Sequence, residues 1–421
     1  MNTLDFSQVY VQNIDTHKKR YAELTAAHKS RFGNGGVMRY FSSPGRTEIC
    51  GNHTDHNMGK VIAASIHLDC IAAVTAADNI HIVDTTYNEE FTVVPHVPGG
   101  PKSAGGGGEA LVCGIAAYFN WAGWRCGGFN AVISSDILPA AGVSSSAAFE
   151  MLVCQILNNL YNDGRLPVEK LAQAGRYAEN VYWNKASGLL DQMGCAAGGL
   201  IAIDFANPAA PCVEKISFDF AAQKTRIILV NTGGNHANLS GEYSAIPREM
   251  MAAAAVFGKE TLCGLTSCDI AEKAAAIRAA AGDRALLRAL HFTGENLRVD
   301  AQKAALHAGD FSTFLNLVAA SGNSSWKYLQ NVYIASEKAV KSQNISVCLA
   351  LTEVFIREHT LEGRAACRIH GGGFAGVMQF FVPESFAKKY ADWMSPALNK
   401  KENCLFDTTI RQYGVVEILR A

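Results

Sequence analysis

A glycine- and serine-rich segment wedged between a strand pattern and a helix pattern sets the first limit on what this chain can fold into. Residues 129–137 form an apolar run of strand length. Leu138-Pro-Ala-Ala-Gly142-Val143-Ser144-Ser145-Ser146-Ala147 follows, and then Phe149, Leu152, Val153, Ile156, Leu157 and Leu160 recur at helical spacing. Small residues let a bulky group approach the backbone. A helix start presents unpaired N–H groups and the positive end of the helix dipole. Three hydroxyls at the first turn add donors and a candidate metal ligand. The segment therefore reads as an anion site, most naturally for phosphate. A serine cap with small neighbours for tight packing is the plainer alternative.

A further helix is expected over about 168–183, so strands and helices alternate in the first half. The 421 residues exceed what one hydrophobic core comfortably serves, and two domains are expected. Phe205-Ala-Asn-Pro-Ala-Ala-Pro-Cys212 interrupts the pattern and marks a boundary, giving domains 1–213 and 214–421. The alanine-rich stretch 270–290 reads as helix. The glycine cluster between Pro98 and Gly108 reads as a mobile loop.

Charge and cysteine usage exclude several classes. With 37 basic and 38 acidic side chains the chain lacks the footprint of a nucleic-acid binder. No apolar run approaches the ~18 residues of a membrane span. The N-terminus lacks the basic and apolar blocks of a signal peptide. The 12 cysteines are scattered, without a CxxC pair, which fits buried, reduced thiols in a cytoplasmic protein.

Three more segments carry chemistry. Ile369-His370-Gly371-Gly372-Gly373-Phe374-Ala375-Gly376 matches G-x-G-x-x-G, but the strand pattern of 377–382 follows where a dinucleotide fold needs a helix. A turn that closes over phosphates and a simple hairpin both remain. Ser43-Pro44-Gly45-Arg46-Thr47-Glu48-Ile49-Cys50-Gly51-Asn52-His53-Thr54-Asp55-His56-Asn57 concentrates polar groups beside an apolar strand pattern. It fits a polar surface loop, a metal pair at His53 and His56, or a loop whose Asn, His and Asp bind vicinal sugar hydroxyls. The metal pair has too few ligands for zinc. Finally, Glu179 precedes Gly188-Leu189-Leu190-Asp191-Gln192 by a short interval. One carboxylate for a divalent cation and one for proton abstraction is what phosphorylation of a hydroxyl requires. A salt-bridged surface glutamate and a helix cap are the plainer alternatives.

Taken in order, these segments resemble the galactokinases of the GHMP small-molecule kinase superfamily. Residues 44–55 are similar to the sugar signature P-G-R-V-N-L-I-G-E-H-T-D. Residues 142–147 resemble G-L-S-S-S-A, residues 188–192 resemble G-I-M-D-Q, and residues 371–376 resemble G-x-G-F-G-G. Weaker echoes are Glu242-Tyr243, Glu295-Asn296-Leu297-Arg298-Val299 and the stretch 324–333. The resemblance implies an α+β fold of two domains. The first would be a ribosomal-protein-like α/β domain and the second a ferredoxin-like α+β domain, with the active site in the cleft between them. It implies ATP as co-substrate with Mg²⁺, no nucleic-acid or membrane partner, and a monomer or weak homo-oligomer.

By the same resemblance Asp191 is the catalytic base and Arg46 its partner. Gly142, Val143, Ser144, Ser145 and Ser146 wrap the triphosphate together with Gly372 and Gly373. Ser146 and Glu179 hold Mg²⁺, while Asn52, His53, Asp55, Gly188 and Tyr243 meet the sugar. The expected reaction is phosphorylation of the anomeric hydroxyl of galactose. A galactose derivative altered at carbon 6, such as galacturonate, is the nearest alternative, and a catalytically dead sugar sensor is a more distant one. The first alternative rests on two departures. Asn52 replaces the signature's Glu, removing a charge that repels a 6-carboxylate, and His56 replaces an aromatic residue and offers a positive charge. A further departure is Asn184-Lys185, where a glycine-containing turn is usual.

Overall fold

The computed structural model describes residues 3–96, 106–137, 142–185, 187–233, 239–374, 376–398 and 404–419. The segment from Pro98 to Gly105, Leu138 to Ala141 of the serine loop, and Ala375 lie outside them.

Thirteen strands form two sheets among these residues. In chain order they are β1 (Thr3–Asp5), β2 (Arg39–Cys50), β3 (Lys60–Ala77), β4 (Ile80–Asp84), β5 (Glu89–Val93), β6 (Gly128–Ser135), β7 (Leu200–Asp204), β8 (Cys212–Ile216), β9 (Thr225–Asn231), β10 (Ala366–Ile369), β11 (Val377–Pro383), β12 (Leu405–Thr408) and β13 (Val416–Leu419). The large sheet runs β1-β13-β2-β3-β6-β4-β5, with the β7-β8 hairpin paired to the near half of β3. The small sheet is antiparallel in the order β10-β11-β9-β12.

The central strand β3 is rich in Ala, Ile and Val, 11 of its 18 residues, because both its faces are covered. Its side chains alternate. Ile71 and Ala73 meet the aromatic cluster of Phe6, Tyr10 and Tyr21 under the helix Ile14–Phe32. Ala72 and Val74 meet the main core, with Leu152, Val153 and Ile156 of α1 (Ser145–Tyr161). Each Ile, Leu or Val among them contributes about 1.5–3 kcal/mol by leaving water. Also contributing to this core are α2 (Val168–Tyr177) and α3 (Leu190–Ala197). In the small sheet Phe380, Val382 and Ile228 form a second core with Phe355 and Tyr390.

The strand expected at 129–137 and the helix beginning at the serine loop are β6 and α1. The strand pattern after the glycine turn is β11. Two expectations change. The boundary at 213/214 falls inside β8, because Pro208 and Pro211 lie in the β7-β8 hairpin connection and β8 stays in the large sheet. The small sheet starts at β9, and β13 returns to the large sheet between β1 and β2. The alanine-rich stretch is not one helix. It breaks at Lys273 and again at Gly282, whose φ of +88° ends Ala274–Ala281 before α4 (Asp283–His307) begins. Among the described residues no helix is long and apolar enough to cross a membrane.

Candidate active site

The first part of the polar segment, residues 43–50, is not a surface loop. It is the end of β2, buried throughout. Its pairing with β3 shifts register between Pro44 and Arg46 and again between Glu48 and Cys50. Such irregularities re-aim side chains beside functional sites. Arg46 Nε lies 2.8 Å and Nη2 2.7 Å from Asp191 Oδ1, while Nη1 donates to the carbonyl of Gly142 at 2.7 Å. Ser144 Oγ donates to Asp191 Oδ2 at 2.6 Å. Asp191 sits in the first turn of α3, and Leu189 is that helix's cap. Its carboxylate is thus held by β2 and the serine loop, and is not a cap. Burial pushes this carboxyl up, but Arg46, Lys185 and the hydrogen bond from Ser144 outweigh it and hold the group below the usual Asp value.

The serine loop bends sharply into α1. Gly142 has φ +70° and Ser144, just ahead of the helix, has φ +62°. For a serine this left-handed backbone is uncommon, and here it aims the hydroxyl at Asp191. Ser146, two residues on, donates to Glu179 Oε1 at 2.8 Å. Glu179 lies on a π-turn (Ala178–Tyr182) that extends α2, and it is buried, not surface-exposed. Lys185 Nζ lies 2.5 Å from the same Glu179 oxygen and 3.3 Å from Ser146 Oγ. Gln192 Nε2 ties Glu179 Oε2 to Glu150, a second buried carboxyl that burial pushes well up.

His53 has φ +57°, and its Nε2 faces the carbonyl of Gly372 at 2.8 Å. A carbonyl only accepts, so Nε2 carries the proton and Nδ1 accepts from His56 Nε2 at 2.9 Å. Burial lowers both imidazoles, His56 to about 4. The pair is neutral, so the positive charge expected at His56 is not there at neutral pH. Asp55 presses against Gly188, where a Cβ would sit 1.6 Å from Asp55 Oδ2 and no side chain fits. Tyr243 OH donates to the carbonyl of Gly373 at 2.8 Å, and its ring covers Gly372. Gly372 and Gly373, expected at ATP, therefore give their carbonyls to His53 and Tyr243.

Asn52 departs most from expectation. It is fully buried, and its amide is bonded inward to Glu48 Oε1 and the carbonyl of Gly371, while Oδ1 accepts from Asn331 and Ser325. It does not line the cavity. Residue 52 therefore does not open the site to a 6-carboxylate, and position 48 holds the wall carboxylate.

A cavity of about 830 Å³ joins these groups, with Arg46, Asp191, His53, Asp55, Lys185 and Tyr243 among its walls. The expected residues Arg46, His53, Asp55, Gly188, Asp191, Tyr243 and Gly372 line it. Ser144 reaches it through Asp191 and Ser146 through Lys185, and Asn52 alone of the expected sugar residues turns away.

Comparison with known proteins agrees with this geometry. The galactokinase galactose-binding signature matches residues 26–76, and the GHMP kinases N terminal domain matches residues 110–199. A galactokinase of Lacticaseibacillus casei is 30% identical over 71% of this chain and 77% of its own. The chain belongs to the galactokinase family. A galactokinase of Streptomyces coelicolor is 28% identical over 80% of this chain and 82% of that one. The crystal structure of Lactococcus lactis galactokinase complexed with galactose superposes with a TM-score of 0.77, covering 94% of this chain and 99% of that one at 22% identity. The fold is that of the GHMP kinases, as expected from the sequence.

Sequence reasoning missed Glu48 as a wall residue and Lys185 as a cation at the Ser146–Glu179 pair. The only signal for either was a departure from the family pattern.

Proposed function

We propose that the protein transfers the γ-phosphoryl group of ATP to the anomeric hydroxyl of galactose. The observation that carries this reading is the arrangement of Asp191 between Arg46 and Ser144 on the floor of the cavity. An ionised carboxylate there accepts the proton of the sugar's anomeric hydroxyl. That oxygen forms a bond to the γ-phosphorus as the bridging P–O bond to ADP breaks. Arg46 holds Asp191 ionised and places positive charge beside the transferring group. The start of α1 presents its free N–H groups to the phosphates.

Ser146 Oγ and Glu179 Oε1 are two hard oxygen donors already gathered around one cation, the ammonium of Lys185. That donor set fits Mg²⁺, which would neutralise phosphate charge once bound. His53, Asp55 and Tyr243 would orient the sugar. An aldohexose and uronic acid panel with Mg-ATP, followed by ADP release, tests the reading. Galactose should be the best acceptor. Folded protein that releases ADP with no sugar of galactose configuration would sink it.

A further inference from the structure

Glu48 lines the cavity, yet nothing in the transfer chemistry uses it. Its Oε1 accepts from Arg368 Nη2 at 2.5 Å and from Asn52 Nδ2 at 3.1 Å. Arg368 is itself fully buried and anchored to the carbonyl of Ile49 at 2.6 Å. The backbone N–H of Glu48 donates to His370 Nε2 at 3.1 Å, fixing the strand beneath the side chain. Among the described residues Oε2 has no hydrogen-bond partner, and it is not among the buried unpaired atoms. One oxygen is therefore clamped and the other is left open toward the cavity. Asn52, four residues on, props this arrangement from behind with every polar atom engaged. The signature pattern has an asparagine where Glu48 stands and a glutamate where Asn52 stands. Acid and amide have exchanged places across the turn, and the negative charge stays in the site on a different stem.

We infer that Glu48 is the residue that selects the sugar: its Oε2 accepts a hydrogen bond from a galactose hydroxyl other than the one phosphorylated, and its charge rejects sugar acids. The inference rests on the galactose 1-kinase reading above. A hydroxyl paired with a carboxylate makes a strong, directional contact, whereas a uronate carboxylate at the same place meets like charge in a poorly solvated cleft.

The test compares kcat and KM for galactose and galacturonate in the wild type and in Glu48→Gln. That substitution keeps the shape and the Arg368 side of the contact but removes the charge. The expected result is a galactose KM raised about tenfold or more with kcat changed less, from loss of a hydrogen bond to a charged group. The kcat/KM ratio of galacturonate to galactose should rise about tenfold or more as the repulsion goes. A galactose-active wild type whose ratio is unchanged in Glu48→Gln overturns this inference alone. A wild type inactive on galactose overturns the 1-kinase reading with it. Should Glu48→Gln fail to fold, Glu48→Asp decides. It keeps the charge but withdraws the oxygens, so galactose KM should rise while galacturonate stays excluded, and an unaltered KM overturns the inference.

Discussion

Asp191 takes its hydrogen bonds from two elements other than its own, Arg46 on β2 and Ser144 ahead of α1, and together they fix its orientation and its charge. Because its pKa is held below the usual Asp value, this carboxylate is ionised throughout the neutral range, and its protonation should set no acid limb on kcat/KM near pH 6. Asp191→Asn should lower kcat by about 10²-fold or more with far-UV circular dichroism unchanged, since proton transfer is lost. Near-full activity would make Asp191 a structural residue. Lys185 poses a separate question at this scale. Its half-exposed ammonium competes for the oxygens that suit a divalent cation. Lys185→Met should tighten Mn²⁺ binding in the presence of a non-hydrolysable ATP analogue by about two- to fivefold, the worth of an ion pair whose ammonium is half in solvent. Weaker or unchanged Mn²⁺ binding, read by electron paramagnetic resonance, would show that the lysine assists the cation site or ignores it.

Elements, not single residues, hold the turn at 51–57 in place. Glu295 on α4 accepts from the backbone of Gly51 at 3.2 Å, from Ser321 at 2.5 Å and from Arg298 at 2.7 Å. Burial pushes this carboxyl up, but His291, Arg298, Arg368 and the Ser321 hydroxyl bring it down to about 2. Glu295→Ala leaves the buried N–H of Gly51 unpaired and takes the carboxylate from the half-buried Arg298 guanidinium, and should cost about 3 kcal/mol in urea denaturation. A cost below about 1 kcal/mol would mean the turn does not depend on this brace. The weak sequence echoes around 295–299 and 324–333 thus find their role as supports under this turn, with Ser325 and Asn331 bonded to Asn52. The loops themselves were legible, because strand, small-residue turn and helix start are local patterns. The direction of residues 48 and 52 was not. It is set by two register shifts against β3 and by partners more than 270 residues away in sequence. The split of the alanine-rich stretch was marked by Gly282, which composition alone obscured.

At the scale of the whole molecule, the large sheet and the small sheet place one wall of the cavity each, and several buried imidazoles lie at the seam. His53, His56, His291 and His370 all have pKa values lowered first by burial, so they are neutral when folded. Once unfolded they take up protons near the ordinary 6.5. The stability they allow is complete above that pH and is lost progressively as pH falls toward about 4. The Tm should therefore drop between pH 7.5 and pH 5, and an unchanged Tm would mean that these rings are protonated in place. Fold class and the order of the site segments were readable from one sequence because the segments recur in fixed order along the chain. The seam itself was not, since the chain crosses it at β9 and recrosses it before β13. In the reading proposed above, Asp191 at this seam deprotonates the anomeric hydroxyl of galactose for phosphoryl transfer. Phosphorus NMR of galactose and Mg-ATP incubated with wild-type protein and with Asp191→Asn tests it most directly. A phosphate coupled to the anomeric proton should grow in with the wild type and be all but absent with the variant. No sugar phosphate with the wild type, phosphate at another hydroxyl, or equal product from both proteins would contradict it.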